Sequence, residues 1–576
     1  MECEALKPLL THRSHLAGQM CGRRKVESVD GIREHRRATA WLQQARTAET
    51  RGSPPEITRP TSRAVRAALG DADVDDPEAP KLYRFVVGVD QQARPLDAQE
   101  LAELRDPMAE LFFRKGTFPL TVQDLLAGLP EPATKANQSV YLIGEAGQIP
   151  LGSTPELPRS MRFAVARAVT GRDVDLLVST GANEDPAATF LQVATWDPAA
   201  NVFNYYMRIS PVWVWAGNSW SALAPGSRGH GCFDSHINGS VVMKELKAPW
   251  SNWQSQAANI RLAPDDHFRV DPLYQQVIGA ESLELTVRAL IGRWTAARLA
   301  AVTQDGTVEH PEQLMRHLFT TTAVNLASTA TQSSTITPSS GDLPLPPGFW
   351  LNSDALLSDL ELPVAAALPP MAPAAHYVES LATFDFALEE RSSGFSQPGD
   401  TFFAFVVPEP ACEDNDVVRQ MVEQGLITRK FAACAFMVDF TNPVFSPVRE
   451  QLMAYVPTTP TAVTELQDHV AQAILQAAIS LPPSSPERRF AAGWVLADDT
   501  WTKAFAQRID DYFGHVGQRI RESAGFDDYV RLAESRRRDF KAMRLNEFEL
   551  TLPITNIPAD AARLRMNDNG TVAPTS

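Results

Sequence analysis

Apolar and polar positions along the chain predict strands first and helices later. Leu82–Val89 (LYRFVVGV) is a short, nearly continuous apolar run, the pattern of a buried strand. Residues 97–113 carry a helical pattern that Pro107 interrupts, because proline lacks the N–H that continues the ladder. Ser139–Leu151 holds two apolar runs about Gly144–Gly147 and predicts a hairpin. Another hairpin is better marked. Residues 188–196 and 202–209 are rich in β-branched and aromatic side chains, and the segment from Asp197 through Pro198 to Asn201 supplies the turn between them. Trp213 and Trp215 alternate in the next apolar run, so they share one sheet face.

Helical spacing then takes over. Leu283, Val287, Leu290, Ile291 and Trp294 form one stripe and predict a helix over 281–302, with a second over 311–327. Val463, Leu466, Val470 and Ile474 mark a helix over 462–479. Trp501, Phe505, Ile509, Tyr512, Val516 and Ile520 mark one over 500–522; such stripes are core faces. Thr401–Val407 and Phe431–Phe440 read as strongly apolar strands on either side of a helical pattern at Asp416–Gln424. That order predicts a βαβ unit with parallel strands. Residues 547–554 alternate as an edge strand ending near Pro553. The fold class so predicted is α+β, with mixed α/β elements, a helix-rich C-terminal part and at least one mixed sheet.

Ser328–Gly348 is Ser/Thr-rich and then Pro-rich, and reads as a linker or long loop between α/β regions at 81–327 and 349–557. Residues 1–80 read as a basic, disordered arm and 558–576 as a flexible tail. Arg536, Arg537 and Arg538 read as a solvated helix face.

Composition narrows the functional classes. The net charge is −16, which argues against nucleic acid as a partner, although residues 1–70 hold 13 Lys and Arg against 7 Asp and Glu. The cysteines (Cys3, Cys21, Cys232, Cys412 and Cys434) are odd in number and form no CxxC pair, which favours free thiols in a reducing compartment. Without an apolar run of spanning length or an apolar leader, the expectation is a cytoplasmic protein with no membrane partner. Phosphate-loop, dinucleotide-fingerprint, HExxH, GxSxG and EF-hand patterns do not occur, which lowers those enzyme classes.

One stretch concentrates chemistry. Trp213–Trp253 holds five of the 11 tryptophans. Within it Arg228, His230, Cys232, Asp234, His236 and Asn238 alternate, so an extended chain would place them on one face. Two imidazoles and a carboxylate, His230, Asp234 and His236, suit iron, copper or zinc, with Asp265, Asp266, His267, His310 and His317 as partners from elsewhere. Arg228 would then orient an anionic group of a small-molecule substrate. Alternatively Cys232 is a nucleophile with His230 or His236 as its base. In a third reading the segment binds an anionic or aromatic ligand, with Ser240 capping a helix over 240–247. The plainer reading is a glycine-rich loop under tryptophans whose polar groups bond the backbone. The functional expectation is a metal-dependent oxidoreductase acting on a small organic molecule. The alternatives are a cysteine-dependent transferase or hydrolase, and a binding or scaffold protein.

Overall fold

The computed structural model describes residues 68–69, 81–132, 137–145, 161–181, 190–209, 211–242, 251–255, 259–260, 262–326, 336–390, 394–399, 408–542 and 553–575. The segment expected as a basic arm, 1–80, lies outside these apart from Ala68 and Leu69, as does the expected strand Thr401–Val407.

Among the described residues the N-terminal part is built on a nine-stranded sheet. Its strands are β1 (Leu82–Arg84), β2 (Arg94–Pro95), β3 (Gln138–Glu145), β4 (Met161–Arg167), β5 (Leu176–Gly181), β6 (Leu191–Asp197), β7 (Val202–Ile209), β8 (Val212–Asn218) and β9 (Ser251–Trp253). Strands β3 to β8 form an antiparallel meander, and β9 pairs with the outer edge of β3. β1 lies parallel to β8, with Leu82 opposite Trp213, and β2 is antiparallel beyond it. The sheet is therefore mixed, and its parallel pairing comes from β1 and β8.

The β6–β7 turn falls where the sequence places it. The Asp197 carboxylate accepts from the backbone N–H of Ala199 and Ala200, each at 2.9 Å, and Asn201 takes φ +55°, which asparagine tolerates. β7 is buried along its whole length. Trp213 and Trp215 share one apolar cluster, as alternation predicts, and each buried indole finds an acceptor. Trp213 Nε1 donates to Pro119 O at 2.9 Å and Trp215 Nε1 to Asn204 Oδ1 at 3.0 Å.

Short helices α1 (Ala98–Glu103), α2 (Pro107–Leu111) and α3 (Val122–Gly128) cover one side of the sheet. Pro107 starts α2 rather than kinking a longer helix, and Asp106 caps it. The long helix α4 (Glu281–Thr303) matches its predicted stripe. Leu283, Val287 and Ile291 pack on Tyr141 and Ile143 of β3, Leu290 and Trp294 join the main sheet core, and Leu299 joins the C-terminal core. The apolar clusters thus divide within α4, ahead of the Ser/Thr/Pro-rich stretch.

The C-terminal part is helical: α5 (Pro311–Phe319), α6 (Ala374–Thr383), α7 (Cys412–Glu423), α8 (Arg429–Phe436), α9 (Val463–Ala478), α10 (Pro486–Trp494), α11 (Trp501–Arg519) and α12 (Ser523–Ala542). The stripe on α11 is buried as expected, and on α9 Leu466, Val470 and Ile474 are buried with Val463 half-buried. The fold class is α+β, with one mixed sheet and helices mostly in the C-terminal part.

Several local expectations need correction. Phe431–Phe440 is not a strand, so the expected βαβ unit is not formed there; residues 429–436 are α8, and Thr428 caps it by accepting from Phe431 N at 3.2 Å. Phe431, Ala432, Ala433, Cys434 and Ala435 are all buried, and a helix covered on every side shows no period to distinguish it from a buried strand. β1 ends at Arg84 because Asp90 accepts from Val86 N at 2.7 Å and turns the chain. β3 runs through Gly144 to Glu145 and pairs with β4 and β9, and the second run of the hairpin expected at Gly144–Gly147 lies outside the described residues. α5 stops at Phe319, and Val324–Leu326 pairs instead with Pro408–Pro410. Arg536 and Arg537 are buried, not solvated. Arg536 donates to Phe349 O and to Thr441 O and stacks on the Phe349 ring. Residues 564–574 form a hairpin whose Met566 is buried in the C-terminal core, where a flexible tail was expected.

Candidate anion-binding site

After β8 the Trp-rich stretch does not run extended. Ser221–Leu223 and Gly231–Asp234 each make a 3-10 turn, and Gly229 and Gly231 take φ of +74° and +63°. A turn rotates successive side chains instead of flipping them, so Arg228, His230, Cys232, His236 and Asn238 do not share a face. His230 is exposed and Cys232 is half-buried without a disulfide. His236 is half-buried, its ring 4.9 Å from that of Tyr205 and its Nδ1 3.0 Å from Ser240 O. The side chains of Asp234 and His267 lie outside the described residues. Among the described residues no three His, Cys, Asp or Glu side chains gather as a metal-ligand set. Of the helix expected over 240–247, residues 243–247 lie outside the described residues; Ser240 Oγ donates to Val241 O at 2.9 Å.

What the loop does reach is the C-terminal part. Asn238 O accepts from Trp294 Nε1 of α4 at 2.7 Å, and Asn238 Nδ2 donates to Thr322 Oγ1 at 2.8 Å. The Thr322 hydroxyl donates in turn to Asp414 Oδ1, and Thr322 N donates to Asp414 Oδ2 at 2.9 Å. Since that hydroxyl proton is spent on Asp414, Thr322 can only accept from Asn238. The amide orientation is thereby fixed, and Asn238 Oδ1 is left buried without a partner.

The same logic sets the tautomer of His317. Arg298 Nη1 lies 3.0 Å from His317 Nε2, and a guanidinium only donates, so Nε2 accepts. Nδ1 then carries the proton and donates to Asp414 Oδ1 at 2.7 Å. Burial, with the charges of Arg298 and Arg228, pushes the imidazole pKa well below its ordinary value, which agrees with a neutral ring. Burial raises the Asp414 carboxyl to about 6 against the opposing hydrogen bonds from Thr322. Burial also lowers Arg298 to about 10, and the nearby charge of Arg228 adds to this.

Arginine side chains gather here. Arg228 is half-buried on the loop, and burial pulls its pKa down. Its guanidinium has no hydrogen bond or ion pair among the described residues. Arg298 spends its fork on His317 and on Gln313 O at 2.8 Å, leaving Nε unpartnered. Arg449 is buried too, lies in the field of Asp439, Asp414 and Glu450, and has an unpartnered Nε. Three guanidiniums thus gather about Asp414 and a neutral imidazole, and Arg228 is the one that solvent reaches.

Two of the residues considered as metal partners, His310 and His317, stand apart. His310 is an exposed residue ahead of α5, whereas His317 is buried on its inner face. Arg298, Thr322 and Asp414 were not anticipated as site residues. For Arg298 a signal existed: it continues the apolar stripe of α4 one turn beyond Trp294, where a charge is out of place. Asp414 had no local signal, because its partners come from distant segments.

No known protein family, curated protein or solved structure matches this chain. Among the described residues no helix is long and apolar enough to cross a membrane.

Proposed function

We propose that the protein binds a small organic anion at Arg228, beside the seam where α4, α5 and α7 meet. One observation carries this reading: a half-buried guanidinium with no acceptor among the described residues, in a neighbourhood already rich in buried arginine. Removing positive charge from water is costly unless an anion or acceptor replaces the solvent. A carboxylate or phosphate fits the planar fork of arginine with two parallel hydrogen bonds. Trp220 lies on the same loop, edge-on to Trp294 and 37% exposed, which favours an anion with an apolar body. His317 and Asp414 are buried and bonded to each other, so the reading is one of binding and carries no reaction step. Metal-dependent oxidation draws no support from an exposed His230 and a His236 engaged with Ser240 and Tyr205.

The test is calorimetric titration of the full chain with inorganic phosphate, succinate and benzoate, for wild type and Arg228→Gln. The expected result is saturable binding of an organic anion, weakened about tenfold or more by the substitution, as loss of a charged hydrogen bond implies. Absence of binding by all three probes, or equal affinity in the variant, would sink the proposal.

A further inference from the structure

Away from the arginine seam, residues 354–361 and α7 enclose a recess of about 260 Å³. Its apolar lining is Ala355, Leu360, Val418, Val422 and Phe436; Ser358, Asp359, Asn415, Arg419, Glu361 and Glu423 supply the polar part. One wall is a π-helical turn, Asp354–Asp359, closed by Leu360 N donating to Ala355 O at 2.9 Å. The wider turn is followed by Glu361 at φ +49°. Such widened turns often accompany sites.

The charges around the recess are mostly engaged. Arg419 bonds Asp416 at 2.5 Å and Glu423 at 2.6 Å. Arg429 holds Glu361 at 3.1 Å, and Arg288 faces Asp354 at 3.8 Å. Asp359 has neither a hydrogen bond nor an ion pair among the described residues, although it is half-buried on the lining. Burial raises its carboxyl to about 6, with Arg419 opposing and Asp354, Asp416 and Glu423 adding to the rise. A cation entering the recess would relieve that strain on the ionised form.

We propose that this recess binds a short alkylammonium ion, with the ammonium on Asp359 and the hydrocarbon chain over Val418, Val422 and Phe436. The recess is smaller than the roughly 300–1,000 Å³ of drug-sized sites, so its occupant is small. A divalent metal is disfavoured, because it takes about six oxygen ligands and only one lining carboxylate is unengaged. An anion is disfavoured by the surrounding carboxylates. This inference is independent of the anion site at Arg228.

The experiment titrates the full chain with n-butylammonium chloride, and with n-butanol, sodium butyrate and calcium chloride at matched ionic strength. Wild type should bind butylammonium saturably and the other three weakly or not at all. Asp359→Asn should weaken binding about tenfold or more. Val422→Phe, a rim substitution at a half-buried position, should block it, while Arg228→Gln should leave it unchanged. Circular dichroism checks that each variant is folded. The proposal is overturned by no saturable binding, by butanol binding as well as butylammonium, by calcium binding that depends on Asp359, or by undiminished affinity in Asp359→Asn.

Discussion

His317 donates to Asp414 across 2.7 Å although the two residues stand 97 positions apart in the chain. The contact joins α5 to α7, and through Thr322 and Asn238 it also fastens the Trp-rich loop. Asp414 is therefore an anchor on which donors from His317, Thr322 and Ala323 converge, while Arg298 beside it is a charge that burial disfavours.

The two should respond differently to removal. Asp414→Ala strands buried donors from His317 and Thr322, and should cost about 3–5 kcal/mol. Arg298→Met loses two hydrogen bonds but also removes a buried charge, and should cost less than about 2 kcal/mol. Urea denaturation of both variants decides; a larger loss for Arg298→Met would contradict the assignment of roles.

Asp106 should give stability a measurable pH slope. It is fully buried under α2 and accepts from Tyr206 Oη at 2.8 Å and Asn204 Nδ2 at 2.9 Å, yet burial raises its carboxyl from 3.8 to about 6. Between those pH values the folded protein holds a proton that the unfolded chain has released. The contribution is thus fully present below pH 3.8 and is lost as pH rises through 6, by about 2–3 kcal/mol in total. Unfolding curves across this range should show that decline in wild type relative to Asp106→Asn. Parallel curves would refute it.

Two glycines of the loop should differ in their tolerance. Gly239 has φ +80°, and an added Cβ would lie 2.4 Å from Ser219 O, so Gly239→Ala should cost more than about 2 kcal/mol. Gly229 has φ +74° but open space around it, so Gly229→Ala should cost only about 1 kcal/mol. Thermal unfolding of the pair tests the contrast.

Along α12, burial should outweigh residue type. Arg536→Ala leaves the carbonyls of Phe349 and Thr441 without their donor in the core and should cost about 3 kcal/mol. Arg531 is half exposed and paired with Asp528, so Arg531→Ala should change stability by less than about 1 kcal/mol. Chemical denaturation measures both.

Elements with a one-sided environment were legible in the sequence. The stripe from Leu283 to Trp294 and the one from Trp501 to Ile520 each border solvent on their other side, so the period survives. The Asp197–Asn201 turn was legible because its hydrogen bonds are local. α8 was not, since burial all round erases the period, and Arg536 was not, since its acceptors at Phe349 and Thr441 are remote in sequence. Of the site, Arg228 was picked out by its alternating polar neighbours, but the two turns about Gly229 and Gly231 undo that alternation. His317 was considered as a distant metal partner, and its actual partners, Arg298 and Asp414, come from other helices.

The parallel seating of β1 against β8 also constrains how the molecule is made. Leu82 leaves the ribosome long before Trp213, the residue it must face, and the meander that presents Trp213 has to be assembled in between. Pairings so distant in sequence form late, because the chain must close a long loop before the contact rewards it. During synthesis the apolar face of Tyr83 and Phe85 therefore waits uncovered, and the nascent chain is most open to aggregation or chaperone capture in that interval.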